Sequence, residues 1–177
     1  MSSGYISAAR DRFKTTLADC ASFRTLVSAA NRAEALVHIY DSALPVATAG
    51  YGYENSRAEM EALRPYARIW IAPSQGYSIK AIATSGSLRS WRDKGEVWCE
   101  LEYDIAAGDT ADDSAVQCDG EDLFGSIIQD LLLLIGGADY LNITEIELVG
   151  GPDRVLMNER EGYGDAQGGL LRIAWET

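Results

Sequence analysis

The chain has 177 residues, 47% of them hydrophobic and 24% charged, a balance that fits one folded domain over residues 1–177 and excludes disorder as its overall state. Its 27 acidic and 15 basic side chains give a formal net charge of −12, which opposes adhesion to nucleic acid or anionic lipid and argues against sequence-specific DNA binding. Cys20, Cys99 and Cys118 form an odd count without CxxC spacing and point to a reduced, cytoplasmic setting. The N-terminus leads into a charged amphipathic stretch instead of a signal core, and the apolar run Leu131 to Ile135 is too short for a bilayer, so no membrane is expected.

Tyr5, Ile6, Ala9, Phe13, Leu17 and Cys20 recur mostly at three- and four-residue steps with charges between them, the pattern of a surface helix with one buried stripe. Ser22 is placed to cap a second helix through about Ala29. Asn31, with Glu34 three residues on, forms a capping box for a third helix from Arg32 to about Tyr40. After Pro45 the stretch Val46 to Ser56 reads as a loop; its Gly50-Tyr51-Gly52 lacks the third glycine, preceding strand and following helix of a dinucleotide fingerprint. Arg68 to Ile71 and Tyr77 to Ala83 read as strands.

Ser85 to Lys94 is a basic, aromatic island in an acidic chain, carrying Arg89, Trp91, Arg92 and Lys94. It reads as a hairpin tip with solvated charges, or as a contact loop, since Trp and Arg anchor interfaces. The strand from Gly95 to Ala107 organises the chain. Val97, Cys99, Leu101, Tyr103 and Ile105 fall on one side of it, while Glu96, Trp98, Glu100, Glu102 and Asp104 fall on the other. One side builds the core; four carboxylates at two-residue spacing on the other repel one another unless water or neighbouring cations lie against them.

Gly108 to Asp122 carries six carboxylates but misses the EF-hand register, so it reads as a solvated acidic loop with helix caps. From about Glu121 to Ile135, Leu123, Phe124, Ile127, Ile128, Leu131, Leu132, Leu134 and Ile135 make a wide apolar stripe closed by Gly136-Gly137, the helix expected across the sheet. Asn142 to Leu148 and Leu171 to Glu176 alternate as strands, with a glycine-rich loop around Gly162 to Gly169 between them. The expected fold class is α+β: a mostly antiparallel sheet backed by the N-terminal helix and the second long helix, an α/β sandwich.

The single histidine, His38, lies in the apolar context Leu36-Val37-His38-Ile39-Tyr40 and reads as structural. A GxSxG elbow, a Walker lysine, an HExxH pair and Cys/His ligand spacing are absent. Carboxylates alternating along an open strand face also lack the enclosed, unequal surroundings that split two pKa values for acid–base work. No catalytic residue, cofactor or metal is expected, and the chain does not read as an enzyme.

The order of elements, with the phrases Phe23-Arg24-Thr25-Leu26-Val27, Arg64-Pro65-Tyr66-Ala67-Arg68-Ile69-Trp70-Ile71 and Leu170-Leu171-Arg172-Ile173-Ala174-Trp175, resembles the tail terminator family of long-tailed, lambda-like bacteriophages and related minor tail proteins. The resemblance implies a structural virion protein at the head–tail junction, assembled in the bacterial host cytoplasm. It implies a homo-oligomer, a hexameric ring that caps the tail-tube protein, stops its polymerisation and presents a surface to the head-completion or connector protein. DNA passes through such a ring without specific binding. On that resemblance Glu96, Glu100, Glu102 and Asp104 are expected to line the channel or a seam between subunits, and Arg89, Trp91, Arg92 and Lys94 to touch a neighbouring subunit or the tube. A neighbouring neck or tail component, such as a head-completion or tail-tube protein, and a small acidic adaptor domain are the alternative readings.

Overall fold

The structure is a computed structural model that describes residues 5–41, 59, 61–71, 78–82, 90–105, 113–135, 142–158 and 162–176. The order of elements is α1 (Tyr5–Asp19), α2 (Ala21–Leu26), α3 (Arg32–Leu36), β1 (Ile39–Asp41), β2 (Tyr66–Ile71), β3 (Ser78–Ile82), β4 (Ser90–Asp104), α4 (Asp113–Ile135), β5 (Asn142–Asn158) and β6 (Gly162–Glu176). The strands form one six-stranded sheet in the order β1-β2-β4-β6-β5, with β3 also paired to β4. Among the described strand pairs, β1–β2 is parallel and the others are antiparallel; the fold is α+β with a mostly antiparallel sheet, an N-terminal helix and a later long helix.

The alternation read along the central strand survives in three dimensions. Val97, Cys99, Leu101 and Tyr103 are buried in one cluster with Phe13 and Leu17 of α1, Phe23 of α2 and Phe124, Ile127 and Leu131 of α4. In α4 the buried positions Val116, Gly120, Phe124, Ile127 and Leu131 follow one another at four- and three-residue steps, the spacing of a single helix stripe. Gly169 of β6 makes the close approach of helix and sheet feasible: a Cβ there would stand 2.6 Å from the Phe124 ring.

The structure departs from the sequence reading at six places. Ser22 does not cap α2: the cap position is Cys20, whose side chain makes no capping bond, and the work is done by Asp130 of α4, which accepts from the Ser22 amide and hydroxyl, both at 2.8 Å. The third helix stops at Leu36, because the His38 carbonyl accepts from the Ala67 amide at 2.9 Å and the chain continues as edge strand β1. The central strand starts at Ser90, so Ser90 to Lys94 belong to it and to its pairing with β3.

The acidic run from Asp113 onward is helix, not loop. Val116 and Gly120 extend the buried stripe upstream while Asp119, Glu121 and Asp122 take the solvent side. The glycine-rich stretch after Gly162 is strand, paired to β4 on one edge and β5 on the other. Of the expected apolar stripe, Leu132 and Leu134 point outward with Leu133, because the buried face of the helix is narrower than its run of apolar residues. The loop read at Val46 to Ser56 lies outside the described residues.

Candidate functional site: the arginine–carboxylate face of the sheet

Helices α1, α2 and α4 pack on one face of the sheet, and among the described residues the core cluster that they share with β4 includes none of Glu96, Trp98, Glu100, Glu102 or Asp104. On that second face the cations that the sequence left unassigned are supplied by adjacent strands. Arg68 of β2 is in register with Glu100 and bonds its carboxylate at 2.7 Å. Arg172 of β6, in register with Trp98, reaches Glu96 at 3.2 Å, Glu145 at 2.7 Å and Glu147 at 2.6 Å. Arg64, just before β2, pairs with Glu102 and reaches Asp104 at 3.4 Å.

Glu102 is therefore not an open wall residue, as the alternation alone had led one to expect. It is 7% exposed, and its carboxylate accepts from Arg64 Nε at 2.5 Å and from the Tyr66 hydroxyl at 2.6 Å. Burial, with the bonded Glu102 carboxylate second, pushes the Tyr66 hydroxyl well above its ordinary value, so it stays a donor. This knot braces the sheet internally. Glu96 and Glu100 are half-buried in their ion pairs, while the Asp104 side chain is 62% exposed.

Trp70 and Trp98 stand opposite one another on β2 and β4, their ring centroids 6.3 Å apart, and the Arg68 guanidinium lies 4.9 Å from the Trp70 centroid. The face therefore presents two half-buried indoles and a cation–π contact inside a lattice of charges. Among the described residues, three guanidinium groups are shared by six carboxylates, which leaves this cluster with a net negative charge although each carboxylate has an ion-pair partner.

Of the remaining residues singled out from sequence, Lys94 is exposed at one end of this face, in register with Glu176. Trp91 and Arg92 lie on β4 itself, on the segment paired with β3, and Arg89 lies outside the described residues. The structure thus places Glu96, Glu100, Glu102 and Asp104 on one continuous strand with Trp91, Arg92 and Lys94. The arginines that sequence reasoning missed carried a signal in the alternations Arg68-Ile69-Trp70 and Leu171-Arg172-Ile173, but only the register says which carboxylates they meet.

His38 Nδ1 lies 3.0 Å from the Pro65 carbonyl, a bond that holds β1 beside β2. A second buried polar knot closes the opposite, helix-covered face. Gln167 accepts from the Tyr103 hydroxyl at 2.8 Å and donates to the Val116 carbonyl at 3.1 Å, joining β4, β6 and α4; burial lifts the Tyr103 hydroxyl to about 12. Among the described residues no group of His, Cys, Asp and Glu is arranged to hold a metal ion, and no helix is long and apolar enough to cross a membrane. No family model and no curated protein matches this chain.

Proposed function

We propose that this chain is a structural subunit of a bacteriophage head–tail junction, working as a tail terminator does: a ring of copies, six in that family, that caps the tail tube, halts its growth and leaves a bore for DNA. The observation that carries the reading is the sheet face that bears the even-numbered carboxylates of β4, where three arginines are shared by six carboxylates and the balance is negative. A surface of that net sign repels phosphate, and its arginines are already engaged by carboxylates. Glu96, Glu100 and Asp104, with Glu145 and Glu147, are the residues available for that role; Glu102 is committed to Arg64 and Tyr66. The tail-tube protein below and the head-completion protein above are the partners this reading requires, and the virion is its location.

The test is negative-stain microscopy of the purified protein mixed with tail tubes. Six-fold rings seated on tube ends, with tube growth halted, are the expected result. Spontaneous long tubes would mark the chain as the tube subunit instead. A monomer that ignores tube ends and binds a single basic protein would mean an acidic adaptor and sink the proposal.

A further inference from the structure

The solvent side of α4 is sorted by chemistry along its length. The helix holds five carboxylates and no Lys, Arg or His. Asp119 and Asp122 are exposed in its first half, and among the described residues no cation forms an ion pair with either. Leu132, 56% exposed, and Leu133, 82% exposed, stand in its last turn. Gly125, Ser126 and Gln129 lie between them and are exposed too. Asp122, Ser126, Gln129 and Leu133 follow at four- and three-residue steps, so acidic, small and apolar residues share one stripe of the helix.

Gly125 is the position in this stripe that packing within the chain does not explain. A Cβ there would meet nothing within 4 Å, yet a glycine inside a helix weakens it relative to alanine. Bare backbone beside the small Ser126 side chain lets the ridge of a second helix settle closely at the middle of the stripe.

We propose that this stripe docks an amphipathic helix of a partner protein, with apolar residues over Leu132 and Leu133 and Lys or Arg over Asp119 and Asp122. Charge complementarity selects this occupant. A helix without a cation, in a chain of net charge −12, gains from a basic partner, whereas a second copy's α4 would bring more carboxylates. Cations favour the C-terminal turns of a helix, so the partner runs antiparallel to α4, its basic end above Asp119 and its apolar end above Leu133. The leucines supply burial; the carboxylates set orientation and speed the encounter. The stripe lies on the side of α4 away from Phe124, Ile127 and Leu131, hence away from the sheet, and its docking does not depend on the ring.

Cys118, exposed beside Asp119, is a built-in reporter, because Cys20 and Cys99 are buried. The probe is a synthetic amphipathic helix of about 18 residues, leucines in its N-terminal half and lysines in its C-terminal half, with one cysteine at either the basic or the apolar end. It is incubated with the full-length protein in a glutathione buffer, and the disulfide to Cys118 is followed by mass spectrometry. Docking raises the effective concentration of a nearby thiol, so the basic-end cysteine should be trapped roughly tenfold more than the apolar-end one.

Trapping of the basic-end peptide should fall by roughly tenfold in Leu132→Ser/Leu133→Ser, again in Asp119→Asn/Asp122→Asn, and with a peptide carrying glutamates for lysines, the variants keeping the wild-type urea midpoint. Trapping that survives loss of both leucines would mean that charge alone draws the peptide in, and would overturn the proposal. Equal trapping at the two ends, or none at Cys118, would overturn it as well.

Discussion

Ser28 holds φ 55, a left-handed conformation that costs an L-residue roughly 1 kcal/mol or more, to complete the turn after α2. The Ala29 amide bonds the Arg24 carbonyl at 2.8 Å and the Ser28 amide bonds the Thr25 carbonyl at 3.2 Å, the paired closure in which glycine is the usual central residue. Ser28→Gly should stabilise the protein by about 1 kcal/mol in urea unfolding, because it removes the steric cost and keeps both bonds.

Asp130 is the other telling residue. The Ser22 backbone amide, then its hydroxyl, hold the Asp130 carboxyl below the ordinary aspartate value. Its contribution is full above the unfolded pKa, about 3.9, and is lost as pH falls through the lower folded value. Asp130→Ala should cost on the order of 1–2 kcal/mol at pH 7, the usual size for losing a helix cap, and the gap from wild type should narrow in acid. Cysteine chemistry follows burial. The Cys20 thiol is pushed up to about 11 chiefly by desolvation, Cys99 is raised further by the same cause, and Cys118 is exposed on α4. A thiol-selective reagent should modify Cys118 alone in the native protein and all three cysteines in guanidinium.

At the scale of elements, the packing of α4 on the sheet sets the tolerances. Gly169→Ala would drive a methyl group into the fully buried Phe124 ring, and should destabilise by about 1–3 kcal/mol. Adding Phe124→Leu should return part of that loss, a non-additivity that chemical denaturation of the two single variants and the double variant would reveal. The solvent side of the same helix behaves differently. Leu133 is 82% exposed, so Leu133→Ser should leave the unfolding free energy within about 0.5 kcal/mol of wild type.

For the whole molecule, the central strand joins two kinds of surface that a single sheet keeps apart. Its odd-numbered residues close a helix-covered core with Gln167 at one end, while its even-numbered residues hold a lattice of arginines and carboxylates. Asp104, Glu145 and Glu147, which share arginines with other carboxylates, are exposed to water, where the cost of an incompletely balanced carboxylate is small. The pair that is buried there, Arg64 with Glu102, has a neutral donor in Tyr66 to satisfy the second carboxylate oxygen.

The alternation from Val97 to Tyr103 and the stripe Phe124, Ile127 and Leu131 made the core, the fold class and the charged face legible in the residues alone, because a period of two or of 3.6 is a local property of the backbone. Start and stop positions were less legible. The upstream extension of α4 rests on Val116 and Gly120, too sparse to stand out among carboxylates, and the sequence alone put the glycines of β6 in a loop when they make room for Phe124. Partners of the charges were not legible at all. Glu102 reads like Glu100 in the chain, and only the strand register, set by contacts between residues far apart in sequence, gives one a sealed knot with Arg64 and Tyr66 and leaves the other in a surface ion pair with Arg68.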